Sequence, residues 1–207
     1  MYLTFYYVRH GETFFNQIGR VQGSCDSPLT KEGIADAYEA KKALEGVKFN
    51  RAYCSTCERA IDTAHIILEG QAVPITYTKD LKEFDFGKLD GCFIEEVREE
   101  IETHKRMDDF SDLGGDNLAS IQTKLFRVME QAKNESEDGD TILLAAHGTL
   151  CRYVIRLLFQ LDPYEVIGNP KALIPNGGIM KFAWNEDHYE LLRRPVSPKD
   201  YNKQGVI

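Results

Sequence analysis

Two stretches of this chain end alike: LTFYYVRHG, from Leu3 to Gly11, and TILLAAHG, from Thr141 to Gly148. Each is a short apolar run of the kind that forms a strand buried on both faces, and each closes in His-Gly, where glycine favours a turn. In open α/β sheets, ligands bind at the carboxyl ends of the strands. Two strands that each deliver a histidine to that edge predict one site built from both ends of the chain. His10, with Arg9 directly before it, and His147 are its first members.

Strand, loop and helix recur along the rest of the sequence. The stretch from Glu12 to Leu29 reads as a long loop with Gly19, Gly23 and Pro28, and loops of that length usually carry function. Thr30 caps an expected helix to about Glu45, with Ile34, Ala37, Tyr38, Lys41 and Leu44 on one face and Gly46 as its stop. Ala52–Ser55 is a short strand and Cys57–Glu69 a helix, with capping-box spacing between Ser55 and Glu58 and an inward face of Ala60, Ala64, Ile67 and Leu68. A further strand is expected over Val73–Tyr77, then the acidic loop LKEFDFGKLDG (Leu81–Gly91). Phe93–Gly115 is polar and helical at first, and Asp116 or Asn117 caps a long helix to about Asn134. After the strand at Thr141–Ala146 comes a helix over Thr149–Leu161, and two closing strands, Gly177–Trp184 and Tyr189–Arg194, flank a turn at Asn185–His188. The pattern predicts an α/β fold, a three-layer α/β/α sandwich with a mostly parallel central sheet.

At 207 residues the chain suits one domain, 1–207, with a lid-like insertion at about 92–115 and order throughout except at the last few residues. The net charge of −8 and the lack of a basic stripe argue against nucleic acid as a partner. No apolar run approaches the roughly 20 residues that cross a bilayer, and no signal-like segment opens the chain, so no membrane partner and a cytoplasmic location are expected. A monomer or small homo-oligomer fits this size. The five cysteines are an odd number in a chain that needs no staples, and free thiols are the simplest reading. Cys54-Ser-Thr-Cys57 lacks a second close pair to complete a zinc set, and reads as a buried strand cysteine followed by a turn cysteine.

Arg59 falls in the first turn of its helix, where a cation is disfavoured unless an anion also sits at the helix start; the alternative is an ordinary solvent-facing arginine. With His10 and His147, Arg9 and Arg59 would bring two imidazoles and two guanidiniums to one edge. Such a group repels itself and loses hydration without a strong anion between its members. A phosphoryl dianion resolves the conflict, since arginine's fork matches its oxygens and the helix starts at Arg59 and Thr149 add backbone donors. A histidine beside that group can act as a nucleophile, and Glu83 or Asp85 can protonate the leaving alkoxide.

Arg9-His10-Gly11-Glu12-Thr13, Asn16, the run Gly19-Arg20-Val21-Gln22-Gly23 through Asp26, Pro28-Leu29-Thr30 and Gly33 resemble the histidine phosphatase superfamily, in its phosphoglycerate mutase-like branch. STCERAIDTA, from Ser55 to Ala64, resembles the second motif and Ala146-His147-Gly148 the third, so the likeness spans about residues 3–160. It implies a phosphoglycerate mutase-like fold, a phosphohistidine on His10, and phosphoryl binding by Arg9, Arg59 and His147 with a further hydrogen bond from Asn16. It places the proton donor at Glu83, leaves Asp85 structural, and implies neither metal nor cofactor. Cys57 departs from the family pattern at a packing position.

A second departure bears on the reaction. The mutases carry a longer basic insertion, whereas Glu95–Gly115 here has Arg98, Lys105 and Arg106 among eight acidic residues. The expected activity is hydrolysis of a small phosphorylated metabolite, a phosphomonoester. The alternatives are cofactor-dependent mutase-type transfer, with Lys105 and Arg106 as the clamp, and a non-catalytic phosphoryl-binding module. Phe93, Phe110, Tyr164 and the loop around Ile18 and Val21 are the candidates to line the substrate pocket.

Overall fold

The structure, a computed structural model, describes residues 1–169 and 173–203. The last few residues, where order was not expected, lie outside that range. In chain order the elements are β1 (Tyr2–Arg9), α1 (Phe14–Gln17), α2 (Lys31–Ala43), β2 (Arg51–Ser55), α3 (Glu58–Leu68), β3 (Ile75–Thr78), α4 (Ile94–Met107), α5 (Leu118–Glu135), β4 (Thr141–Ala146), α6 (Gly148–Phe159), α7 (Pro163–Ile167), β5 (Ile179–Asn185), β6 (His188–Val196) and α8 (Pro198–Tyr201). The six strands form one sheet in the order β3-β2-β4-β1-β5-β6. The first four in that order run parallel, and β5 and β6 close the far side antiparallel.

Alternation along β1 assigns its side chains to two cores. Leu3, Phe5 and Tyr7 pack with Ile121, Leu125 and Val128 of α5 and Leu150 and Val154 of α6. Tyr6 and Val8 face the other way, against Ala40 and Ala43 of α2, Ile67 and Leu68 of α3, and Tyr201 of α8. Burial on both faces is why these strands read as continuous apolar runs. Removing a fully buried side chain such as Leu125 costs about 2–5 kcal/mol.

Several expectations need correction. The long loop holds a helical turn, α1, closed by a capping box between Thr13 and Asn16. Thr30 does cap α2, accepting from the Gly33 N–H, but the buried face is Gly33, Ala37, Ala40 and Ala43, while Ile34 and Tyr38 are exposed. Ser55 and Glu58 form no capping box: the cap of α3 is Cys57, without a side-chain bond. Asn117, not Asp116, caps α5, in a capping box with Ser120, and Asp116 instead pairs with Lys124 at 2.7 Å. The helices α7 and α8 were not anticipated. The cysteines follow expectation: all five are free, Cys54 is buried in β2 and Cys57 is buried just after it. Among the described residues no helix is long and apolar enough to cross a membrane.

Candidate active site

The strand order brings the two histidines together. β4 lies between β1 and β2, and Arg9 is paired in register with Ala146, so His10 and His147 each stand one residue beyond a matched pair. The His10 N–H donates to the Ala146 carbonyl at 3.1 Å, and the two rings lie 5.3 Å apart, centroid to centroid, at 63°. Gly11 permits the turn that follows. A Cβ there would stand 2.0 Å from the Gly33 carbonyl oxygen, so the chain crosses the start of α2 with no room for a side chain.

Each imidazole is anchored through one nitrogen. His10 Nδ1 lies 2.7 Å from the Gly11 carbonyl, which can only accept, so Nδ1 carries the hydrogen and Nε2 keeps the lone pair. Burial, then the Arg59 and Arg9 guanidiniums, hold the His10 pKa well below the usual histidine range. The ring is therefore neutral at physiological pH. His147 is neutral for the same reasons, with burial the largest cause. Its Nε2 lies 2.7 Å from Ser55 Oγ, and its backbone is pinned by Tyr7, whose hydroxyl donates to the His147 carbonyl at 2.7 Å and accepts from its N–H at 3.2 Å.

Arg59 is not a surface arginine; it is fully buried. A buried guanidinium needs nearly all its donors satisfied. Nη1 donates to the Cys25 carbonyl at 2.7 Å and to Asp26 Oδ1 at 2.8 Å, and Nη2 donates to the Gly23 carbonyl at 2.9 Å. The same Asp26 carboxylate accepts from the Glu58 N–H, so the anion inferred at the start of α3 is supplied by the protein itself. Asp90 shapes this loop, accepting from the N–H groups of Gly23 and Cys25, each at 3.1 Å. On the other side, Arg9 donates through Nη1 to the Ile174 carbonyl at 2.6 Å and lies across the start of α6, where a Cβ on Gly148 would come within 3.1 Å of Arg9 Nε.

Glu83, not Asp85, reaches the site. Its carboxylate accepts from the N–H groups of Thr149 and Leu150, both at 2.8 Å, and from that of Phe84 at 2.9 Å. Those bonds favour the charged form, yet burial outweighs them and raises the carboxyl above its ordinary pKa. Asp85 accepts from the Gly87 N–H at 2.8 Å and stabilises a turn. One expected phosphate contact is used internally, since the Thr149 N–H is bound to Glu83. Asn16 Oδ1 accepts from the Thr13 N–H at 3.3 Å in the α1 cap, which occupies its acceptor and not its amide donor.

Three buried nitrogens on these residues have no partner: Arg9 Nε, Arg59 Nε and His147 Nδ1. An N–H left bare inside a protein costs about 1–3 kcal/mol, so two bare guanidinium donors beside the paired imidazoles mark a place prepared for an anion. Lys105 and Arg106 lie elsewhere. They line a cavity of about 570 Å³ together with Arg152, Arg156 and Tyr164, and neither His10 nor Arg9, Arg59, His147 or Glu83 lines it. Phe110 and Val21 belong to the core rather than to a pocket wall, whereas Ile18 and Phe93 are exposed.

Comparison with known proteins accords with this geometry. The family model described as histidine phosphatase superfamily (branch 1) matches residues 5–196. The chain belongs to the histidine phosphatase superfamily. It is 31% identical over 168 residues to the 2,3-bisphosphoglycerate-dependent phosphoglycerate mutase 2 of Gloeobacter violaceus, covering 77% of each chain. Among solved structures, Bacillus stearothermophilus YhfR matches with a TM-score of 0.81 at 25% identity, covering 92% of this chain and 95% of that one. A phosphoserine phosphatase of Entamoeba histolytica, solved with 3-phosphoglyceric acid, matches with a TM-score of 0.76 at 25% identity over 93% and 96%. Histidine phosphatases are phosphatases or mutases, and this chain is an enzyme of that superfamily.

Proposed function

We propose that this histidine phosphatase hydrolyses a small phosphorylated metabolite, a phosphomonoester, through a phosphohistidine on His10. The observation that carries the reading is the set of unpartnered buried nitrogens, the Nε–H groups of Arg9 and Arg59 and Nδ1 of His147, beside an imidazole whose Nδ1 bond leaves the lone pair on Nε2. Those donors hold the phosphoryl oxygens while His10 Nε2 attacks phosphorus and the P–O ester bond breaks. Glu83, raised in pKa by burial, gives its proton to the leaving alkoxide. As a carboxylate it then takes a proton from water, which attacks the phosphohistidine and releases inorganic phosphate. The chain is a single domain, and the segment at about 92–115 is an insertion that packs on the core through Ile101, Phe110 and Leu113.

Hydrolysis is favoured over transfer because Lys105 and Arg106, the expected clamp, are placed elsewhere. Lys105 Nζ pairs with Glu102 at 3.3 Å, and Arg106 lines the separate cavity. The name of the Gloeobacter relative keeps transfer as the second reading. A panel of phosphorylated metabolites tests the choice, with 3-phosphoglycerate supplied with and without 2,3-bisphosphoglycerate. Release of inorganic phosphate from a monoester with no bisphosphate requirement supports hydrolysis. Isomerisation of 3-phosphoglycerate that depends on the bisphosphate, without net phosphate release, contradicts it.

A further inference from the structure

We infer that Ser55 sets the tautomer of His147, donating its hydroxyl hydrogen to Nε2 so that Nδ1–H is the donor His147 offers to the phosphoryl group. The inference rests on the phosphohistidine reading above and gives Ser55 a positioning role in it.

Ser55 ends β2 and is fully buried, and its Oγ accepts from the Cys57 N–H at 3.2 Å and stands 2.7 Å from His147 Nε2. A hydroxyl has one hydrogen to give, and among the described residues the only acceptor recorded for it is that Nε2. Burial and the neighbouring guanidiniums keep His147 neutral, so its ring carries a single hydrogen. If Nε2 held that hydrogen, the Ser55 O–H would be a buried donor without an acceptor. His147 Nδ1 would then be a bare lone pair, since neither Arg9 Nε nor Arg59 Nε bonds to it. With the hydrogen on Nδ1, Ser55 and Nε2 are both satisfied and a single donor is left over. A lone pair at Nδ1 would repel a phosphoryl oxygen, whereas Nδ1–H attracts it. Tyr7 fixes the backbone of His147 from both sides, and a ring turned over on that backbone would carry Nε2 away from Ser55 Oγ.

The spacing around Ser55 has a second consequence. The Cys57 N–H that occupies one Oγ lone pair is one of the first N–H groups of α3, so the helix start orients the hydroxyl rather than being capped by it. Ser55 lies two residues before the cap and Glu58 is the first helical residue, so the expected Ser55–Glu58 capping box does not form.

The test is a two-bond proton–nitrogen correlation spectrum of the full-length protein labelled with 15N-histidine, at pH 7.5, with His147→Gln used to assign the ring. The expected result is His147 as the Nδ1–H tautomer, with its signals moving when inorganic phosphate is added. Ser55→Ala shifts the ring toward Nε2–H and lowers kcat about tenfold or more, while Ser55→Thr, which keeps the hydroxyl, retains both tautomer and rate. An Nε2–H ring in the unmodified protein overturns the inference even if turnover is normal, and needs no variant to fold. So does an unchanged tautomer in Ser55→Ala. A protein that turns over no phosphomonoester but shows Nδ1–H in His147 contradicts the phosphohistidine reading instead, and leaves the tautomer assignment standing.

Discussion

At the residue scale, burial sets the acid–base chemistry. Burial, Arg59 and Arg9 lower the His10 pKa, so the nucleophile stays unprotonated below its ordinary 6.5, and burial raises Glu83, so the acid stays protonated above its ordinary 4.5. The dependence of kcat/KM on pH for an aryl phosphate is therefore expected to keep its plateau below pH 6.5, with the acid limb displaced downward; a limb centred at 6.5 would show that His10 is not the group held neutral. Glu83→Gln keeps the shape of the side chain but has no proton to give. It is expected to slow hydrolysis of alkyl phosphates about 100-fold and that of p-nitrophenyl phosphate, whose leaving group needs little help, by far less. Equal losses on both substrates would indicate another acid. His10, Arg9, Arg59 and His147 stood out in the sequence because their residue types are costly to gather without an anion, whereas the residues alone left Glu83 and Asp85 open and only the family resemblance separated them. Ser55 and Tyr7 did not stand out, since a serine or a strand tyrosine has many ordinary uses and only the three-dimensional pairing across 92 and 140 positions reveals theirs.

At the scale of elements, the site is a set of strand ends held in register by close backbone approaches. At the N-terminus of α6 the close neighbour is the Arg9 side chain. Gly148→Ala puts a methyl group within 3.1 Å of Arg9 Nε and 3.2 Å of Arg9 Cζ, the working end of that side chain. The expected outcome is a fall in kcat/KM of about 10- to 100-fold with little change in melting temperature, because a misplaced phosphate ligand costs catalysis more than folding. A loss of stability with kinetics intact would place Arg9 outside the reaction. Strands were the most readable elements, since two-sided burial leaves unbroken apolar runs. The face of α2 was misread for a physical reason. It packs through Gly33, Ala37, Ala40 and Ala43, where the chain after His10 approaches closely, and small residues contribute little to an apolar pattern that Ile34 and Tyr38 dominate. Helices α7 and α8, of 5 and 4 residues, are too short for a 3.6-residue period to show, although each begins with a proline after a capping-type residue.

For the whole molecule, the same site links stability to pH and to phosphate. His10 and His147 are both held below their ordinary pKa, so as pH falls through 6.5 the unfolded chain takes up protons that the folded chain refuses. Stability present above pH 6.5 is thus lost on acidification, by up to about 1.4 kcal/mol per pH unit for each imidazole. Glu83 acts in the opposite sense, since its raised pKa favours the folded state at low pH and that contribution fades as pH rises above about 4.5. His10 and His147 outweigh Glu83 together with His104, whose pKa the Glu100 carbonyl and Asp112 raise, so a net fall in melting temperature is expected between pH 6.5 and 5.5. Inorganic phosphate should oppose it, adding about 2.7 kcal/mol at 100 times its dissociation constant. A melting temperature flat across that interval, or unmoved by phosphate, would deny that the buried cations and imidazoles await an anion. The most direct measurement is the intact mass of the protein, quenched in base during turnover of a phosphomonoester. The unmodified chain is expected to gain the mass of one phosphoryl group, stable in base and lost in acid, and His10→Ala is expected to gain none and turn nothing over. A phosphorylated or active His10→Ala protein would contradict the assignment of His10 as the carrier.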